Sequence, residues 1–304
     1  MLTIEPTGMI LGATVRGVDL TKPLAKGDLG ILLFAIGKYG LLRFPKQHPT
    51  PAHMLAFGHN FGTPQKVKGG HIPEHPEMSV LSNIVRDGKP IGVPDAGIVW
   101  HRDMTYQATP GFANILYAIT VPKRYGHPLG DTQFVDSQAA YDDLPDDVKV
   151  RLEGALGVHT GEHYVKVIRG AFPATVAKGH EKRHNRPPKR HPLILTHPIS
   201  GRKVLYLDMG HVEFIEGVTD ADEMLRYLNE HQLQDKYLYR YQWTEGDVLV
   251  WDNLRSLHRG SFDYGDEPRL IQRCQILSDK ILDPAWIKAT LASGQGDSIF
   301  QPNR

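Results

Sequence analysis

The sequence predicts a mainly β protein, an antiparallel sandwich or barrel carrying helical additions. Short apolar stretches of strand length recur at residues 113–120, 204–207, 247–251 and 270–277. Turn-forming residues separate them, drawn from 30 glycines and 22 prolines. Helical patterns are too few and too clustered for a regular strand–helix alternation, so a parallel βαβ sheet is disfavoured.

Taken in order, residues 28–39 (DLGILLFAIGKY) space their apolar side chains as one helix face and stop before Gly40. Thr50-Pro51 reads as a cap followed by proline in the first turn, opening a second helix that runs up to Gly62. Residues 139–156 and 219–232 read as surface helices with acidic first turns. The basic, proline-containing stretch 178–192 (KGHEKRHNRPPKRHP) has no periodicity and reads as a solvated loop, with a lid over a site as the sharper alternative. With no repeat and no linker composition, residues 1–304 are expected to form one domain.

Composition narrows the function classes. The chain has 304 residues, with 35 Lys and Arg against 34 Asp and Glu. A formal net charge of +1 gives no footing for a nucleic-acid or membrane-surface partner. Cys274 is the single cysteine, which rules out an intramolecular disulfide and a thiolate zinc cage. The N-terminal stretch lacks a basic start followed by a long apolar run, and no run approaches bilayer length, so a cytoplasmic protein is expected.

Two clusters carry chemistry. His101-Arg102-Asp103 follows the apolar run 97–100. If that run is a strand, period 2 puts His101 and Asp103 on one face, about 7 Å apart. Far downstream, His258 follows the strand-like 247–251, and Arg269, Ile271, Arg273 and Gln275 share one face of 270–277. With 16 histidines in the chain, about one His-x-Asp arises by chance, so the motif means little alone. Joined to a distant His258 it makes a two-histidine, one-carboxylate set, the facial triad of non-haem Fe(II) oxygenases. Arg269, eleven residues past His258, suits a bidentate grip on the far carboxylate of 2-oxoglutarate.

The ordered blocks GATVRGVDLTKPL, WHRDMTYQATP, GDTQFVDSQAAYDDLP, THPISGRKVLYL and WDNLRSLHRGSFDYGDEPRLIQRCQIL resemble the TauD/TfdA family of Fe(II)- and 2-oxoglutarate-dependent dioxygenases almost end to end. The resemblance implies a double-stranded β-helix (a cupin-like jelly roll) with helical additions. Carried over by position, the iron ligands fall on His101, Asp103 and His258, and 2-oxoglutarate falls on Thr132 and Arg269. Arg273 matches an arginine that meets the substrate anion in some members and 2-oxoglutarate in others, and Met104 would face substrate. Where the taurine enzyme has a substrate-side histidine this chain has Val67, which argues against taurine itself.

The expected reaction consumes O2 and 2-oxoglutarate, releases succinate and CO2, and hydroxylates a small organic anion such as an aryloxyalkanoate, carboxylate or sulfonate. Because Asp103 is a carboxylate, no iron position is vacated for a halide, and hydroxylation is expected in place of halogenation. A hydroxylated carbon bearing a heteroatom would collapse with C–X cleavage. Family members are commonly dimers or tetramers, so a homo-oligomer is expected.

Two other readings compete. His159, Glu162 and His163 spell the His-x-x-Glu-His pattern of inverted zinc peptidases, which needs both histidines on one helix face. Gly157 and Gly161 each weaken a helix there by about 1 kcal/mol, so a surface turn is expected instead. A non-catalytic metal-binding jelly roll acting as a sensor would keep the triad but has no need of Arg269. Cys274 is expected to be a core group on the face opposite the arginines, and the His-x-Glu spacing of His211 and Glu213 is assigned to chance.

Overall fold

The computed structural model describes residues 1–25, 27–67, 69–171 and 187–294. Its largest element is an eight-stranded sheet. From edge to edge the strands are Thr3–Pro6, Ala13–Arg16, Leu41–Phe44, Val248–Asp252, Gly111–Thr120, Leu270–Leu277, His75–Ser82 and His71–Ile72. All pair antiparallel except Ala13–Arg16 with Leu41–Phe44. A second sheet runs Leu238–Tyr241, Thr132–Asp136, Ser256–Gly260.

Strand alternation sorts the large sheet's side chains into two layers. Leu116, Leu249, Trp251 and Ile271 join Phe134 and Tyr241 of the second sheet in one buried cluster. The Phe134 and Trp251 rings meet edge-on at 5.3 Å. On the opposite face Ile115, Val250, Cys274 and Ile276 pack with Leu32, Ile36, Met54 and Phe57 of the helices Asp28–Tyr39 and Pro51–His59. Cys274 is therefore a core group facing away from Arg273, as its register predicts. Pro284–Gly294 crosses Asp28–Tyr39 so closely that a Cβ on Gly30 would stand 2.3 Å from the Thr290 carbonyl oxygen.

Several expectations change. The stretch 139–156 forms two short helices, Ser137–Asp142 and Asp146–Arg151, because Leu144-Pro145 cannot continue the first. Its last residue begins the strand Leu156–His159. The helix expected at 219–232 is Ala221–Gln232. Of the segment read as a loop or lid, residues 178–186 lie outside the described residues. Its end, Lys189–Pro192, is a strand that pairs with Leu156–His159, which pairs in turn with Val212–Glu216. Residues 97–100 form no strand. Among the described residues, no helix is long and apolar enough to cross a membrane.

One buried ion pair ties the layers together. Arg255 meets Asp136 with both side chains 3% exposed, and its Nη1 donates to the carbonyls of Gly37 and Lys38 at the end of the first helix. Removing one partner strands the other charge and the two carbonyls, costing about 3–5 kcal/mol. Arg255→Ala is expected to lower the melting temperature by about 10 °C. A thermal melt shifted by under 2 °C would contradict that account.

Candidate active site and metal centre

His101 reaches the site through a single β-bridge. Its N–H donates to the His258 carbonyl at 3.1 Å, and the His258 N–H donates back at 3.0 Å. The two imidazoles therefore lie side by side, 4.2 Å between ring centroids. The chain then turns, with Met104 in the left-handed region at φ 62°, and the Asp103 carboxylate faces both imidazoles. Asp103 Oδ1 lies 3.7 Å from His101 Nε2, and Oδ2 lies 3.4 Å from His258 Nε2. One ligand atom from each of the three lies within 4.8 Å of the others, and no other such group occurs among the described residues.

The protonation states suit a cation. His101 Nδ1–H donates to the Val99 carbonyl at 2.8 Å, which leaves the Nε2 lone pair facing Asp103. Burial, reinforced by His258, lowers the His101 pKa to about 4, so the ring is neutral at pH 7. Burial pushes the Asp103 carboxyl up, but Arg273 and the two imidazoles outweigh it and hold the group well below the usual carboxylate range. Asp103 Oδ2 is buried without a hydrogen-bond partner. Two imidazole nitrogens, that of His101 neutral, and an anionic carboxylate oxygen converging on one point fit Fe(II).

Beyond the triad lies a cation. Arg269 is 8% exposed and donates to Tyr264, whose ring lies 5.7 Å from its Cζ. No carboxylate pairs with it among the described residues. Thr132 is buried at the start of the central strand of the second sheet, and its Oγ1 accepts from Trp243 Nε1–H at 3.0 Å, which leaves the hydroxyl proton free to donate. Arg273 lies nearer the triad, with Nη1 3.6 Å from Asp103 Oδ2 and Nε donating to Ser79 Oγ at 3.2 Å. Met104 is 1% exposed, and a Cβ on Gly111 would stand 2.5 Å from its Cε, so the Met104 methyl is committed to that contact.

Trp243 and the Asp208–His211 pair escape a reading of the sequence. His211 Nδ1–H donates to Asp208 Oδ2 at 2.8 Å, and its ring stacks on Tyr164 at 4.7 Å. The loop between them seats on His101, since a Cβ on Gly210 would stand 3.1 Å from the His101 Cβ. His211 therefore has a structural setting beside the site, and the chance reading of its spacing with Glu213 overlooked Asp208, three residues earlier.

The His159, Glu162, His163 pattern straddles the end of the strand Leu156–His159 and the start of the helix Gly161–Ala171. It therefore has no common helix face, and the zinc peptidase reading fails. The expected surface turn is corrected too, because His159 is fully buried and neither ring nitrogen has a partner. Burial drives its pKa down to about 3. The unfolded chain, with an ordinary value near 6.5, binds the proton first as pH falls. The contribution of neutral His159 is fully present above pH 6.5 and is lost toward pH 3, about 2 kcal/mol being gone by pH 5. Melts of wild type and His159→Phe from pH 7.5 to 5 should show a shallower decline in the variant; parallel curves would refute the assignment.

A family model described as "Taurine catabolism dioxygenase TauD, TfdA family" matches residues 3–275. The chain belongs to the TauD/TfdA family. It is 31% identical over 296 residues to the alpha-ketoglutarate-dependent 2,4-dichlorophenoxyacetate dioxygenase of Cupriavidus pinatubonensis, covering 91% of this chain and 98% of the relative. It is 32% identical to pentalenolactone F synthase of Streptomyces arenae, covering 90% of this chain and 94% of that one. Among solved structures it is similar to AAD-2 in complex with Mn(II) and N-oxalylglycine, with a TM-score of 0.74 and 28% identity over 91% of this chain and 97% of that chain. A putative alpha-ketoglutarate-dependent taurine dioxygenase from Burkholderia xenovorans gives 0.73 and 26% identity over 91% and 90%. The two facing sheets are thus the jelly roll of the TauD/TfdA family. The protein is an Fe(II)- and 2-oxoglutarate-dependent dioxygenase using O2.

Proposed function

We propose that this TauD/TfdA dioxygenase hydroxylates a small organic anion, with His101, Asp103 and His258 as the iron ligands. The observation that carries the reading is Arg273, a largely buried cation 3.6 Å from Asp103 Oδ2 and tethered to Ser79. An anion held there lies beside the donor set. Relatives named for anionic substrates support the class, including dioxygenases for 2,4-dichlorophenoxyacetate, (S)-phenoxypropionate and a sulfate ester.

The division of labour follows from the side chains. Arg269 and the free hydroxyl proton of Thr132 hold the far carboxylate of 2-oxoglutarate, and Trp243 and Tyr264 hold those two residues in place. Arg273 orients the substrate anion. Phe134, Trp251 and Ile271 wall the interior and exclude water. Bound Fe(II) supplies the O2 chemistry that converts 2-oxoglutarate to succinate and CO2 and oxidises a C–H bond. Where that carbon carries an ether oxygen, nitrogen or sulfonate, the hydroxylated product breaks at the C–X bond.

The test is an anaerobic titration of metal-free protein with Fe(II) and then 2-oxoglutarate, followed by succinate release across aryloxyalkanoates, carboxylates and sulfonates. A visible metal-to-ligand charge-transfer band, and a KM for the anion that rises in Arg273→Ala while the band persists, are expected. Iron binding without the band would favour a metal-binding sensor.

A further inference from the structure

The segment that supplies His258 also grips the other two triad residues, His101 through main chain and Asp103 through a side chain that no ligand assignment includes. Asn253 lies between the strands Val248–Asp252 and Ser256–Gly260 and is fully buried. Its Oδ1 accepts from the Asp103 N–H at 2.9 Å, and its Nδ2 donates to the Asp103 carbonyl at 2.8 Å. The second Nδ2 proton goes to the Gly111 carbonyl at 3.0 Å, and Asn114 Nδ2 donates to Oδ1 at 3.3 Å. Both lone pairs and both protons of the carboxamide are thereby used. Asn253's own N–H donates to the Phe112 carbonyl at 2.7 Å, which anchors its backbone.

A carboxamide is the side-chain group that presents a donor and an acceptor side by side, as a peptide does. Asn253 therefore acts as one residue of strand pairing for a segment that belongs to no strand. His101 is bridged by the main chain of His258, and Asp103, two residues on, is bridged by the side chain of Asn253. Immediately after Asp103 the backbone enters the left-handed region at Met104, a conformation that persists for a long side chain only when neighbours over-determine it. With the Asp103 peptide fixed on both edges, the direction of its Cα–Cβ bond is fixed, and so is the carboxylate relative to the two imidazoles.

We propose that Asn253 is the positioning residue that sets the metal affinity of the triad by clamping the Asp103 peptide. The proposal rests on the triad assigned above. Partners of metal ligands typically account for a 10–100-fold change in affinity. Mn(II) titration of metal-free Asn253→Ala, followed by the EPR signal of the free ion, should show a dissociation constant about 10–100-fold weaker than wild type.

Gln47→Ala separates this role from general destabilisation. Gln47 also brackets backbone, accepting from the Leu20 N–H at 2.9 Å and donating to the Val18 and Pro45 carbonyls at 3.0 and 3.2 Å, but in another part of the fold. Gln47→Ala should melt earlier yet hold Mn(II) within about twofold of wild type, a margin far inside the 10–100-fold effect. Equal Mn(II) binding by Asn253→Ala and wild type, or equal weakening in Gln47→Ala, overturns the proposal.

Should Asn253→Ala fail to fold, amide hydrogen exchange in metal-free wild type decides. The Asp103 N–H should be strongly protected, and exchange at the rate of an open loop overturns the clamp. A wild type that binds no Mn(II) overturns the triad and this inference together; normal wild-type binding with an unaffected Asn253→Ala overturns this inference alone.

Discussion

Arg269→Met is expected to raise the melting temperature of the metal-free protein while crippling its use of 2-oxoglutarate. The two effects have one cause. Arg269 is buried, burial lowers its pKa, and Tyr264 is its polar side-chain partner. An unpaired cation out of water costs several kcal/mol, and an apolar side chain of similar length removes that cost. In the role proposed for it, the same charge becomes one half of a carboxylate–guanidinium pair when 2-oxoglutarate binds, and truncating one partner of such a pair costs about 2–5 kcal/mol. At about 1.4 kcal/mol per tenfold, the KM for 2-oxoglutarate should rise roughly 30-fold to 3,000-fold, with 100-fold or more the central expectation. Thr132 and Trp243 stay in place, so saturation at high 2-oxoglutarate should restore part of the rate. Arg269→Lys keeps the charge without the planar fork and should fall between the two. A lower melting temperature together with an unchanged KM would show that Arg269 is a structural cation.

Asp103→Ala should abolish metal-dependent turnover and weaken Mn(II) binding by roughly 100-fold to 4,000-fold, the equivalent of the 3–5 kcal/mol lost when a buried charge loses its partner. Asp103 supplies the one carboxylate of the triad, and Arg273, 3.6 Å away, is left facing two imidazoles with no anion between them once it is gone. The electrostatics then oppose a dication where they had favoured one. Asp103→Asn preserves the shape and the contacts of the Asp103 peptide with Asn253 but removes the charge, so it should bind Mn(II) poorly while melting close to wild type. Mn(II) affinity that survives in both variants would remove Asp103 from the ligand set. The same titration tests Asn253 from the other side, because its loss leaves the Asp103 charge intact and disturbs only its aim.

The helix Asp28–Tyr39 and the strand Leu270–Leu277 have the bounds that their residues predict. The helix ends on a local signal that needs no tertiary help. Gly40 adopts the left-handed cap at φ 70°, and its N–H bonds back to Ile36. Other elements differ from their sequence reading because a local cue changes meaning in context. Gly161 is expected to weaken a helix, yet it opens the helix Gly161–Ala171 at a terminus, where glycine costs little. The stretch 178–192 reads as a loop, and its last residues instead find a partner in Leu156–His159 across a gap that no periodicity reports.

The candidate site divides the same way. Residue type and spacing offer His101, Asp103, His258 and Arg269 as a set that gains weight only jointly, because the ligand and anion chemistry belongs to those side chains wherever they stand. The physical route to convergence was not legible. A strand through 97–103 would have placed His101 and Asp103 on one face; the molecule uses one β-bridge, a left-handed turn and an asparagine clamp. Asn253, Trp243 and Asp208 sit 150, 111 and 103 positions from Asp103, Thr132 and Thr105, to which they are hydrogen-bonded, and nothing in their local sequence announces a role.

By itself, then, the sequence determined the chemistry on offer: a β-rich chain, two histidines and a carboxylate that can hold a metal, and two arginines that can hold anions. Tertiary structure alone decided which groups meet, which charges lose their water, and which amide holds the carboxylate still. Those outcomes depend on distances between strands remote in the chain, and side-chain identity does not encode such distances until the sheets have closed.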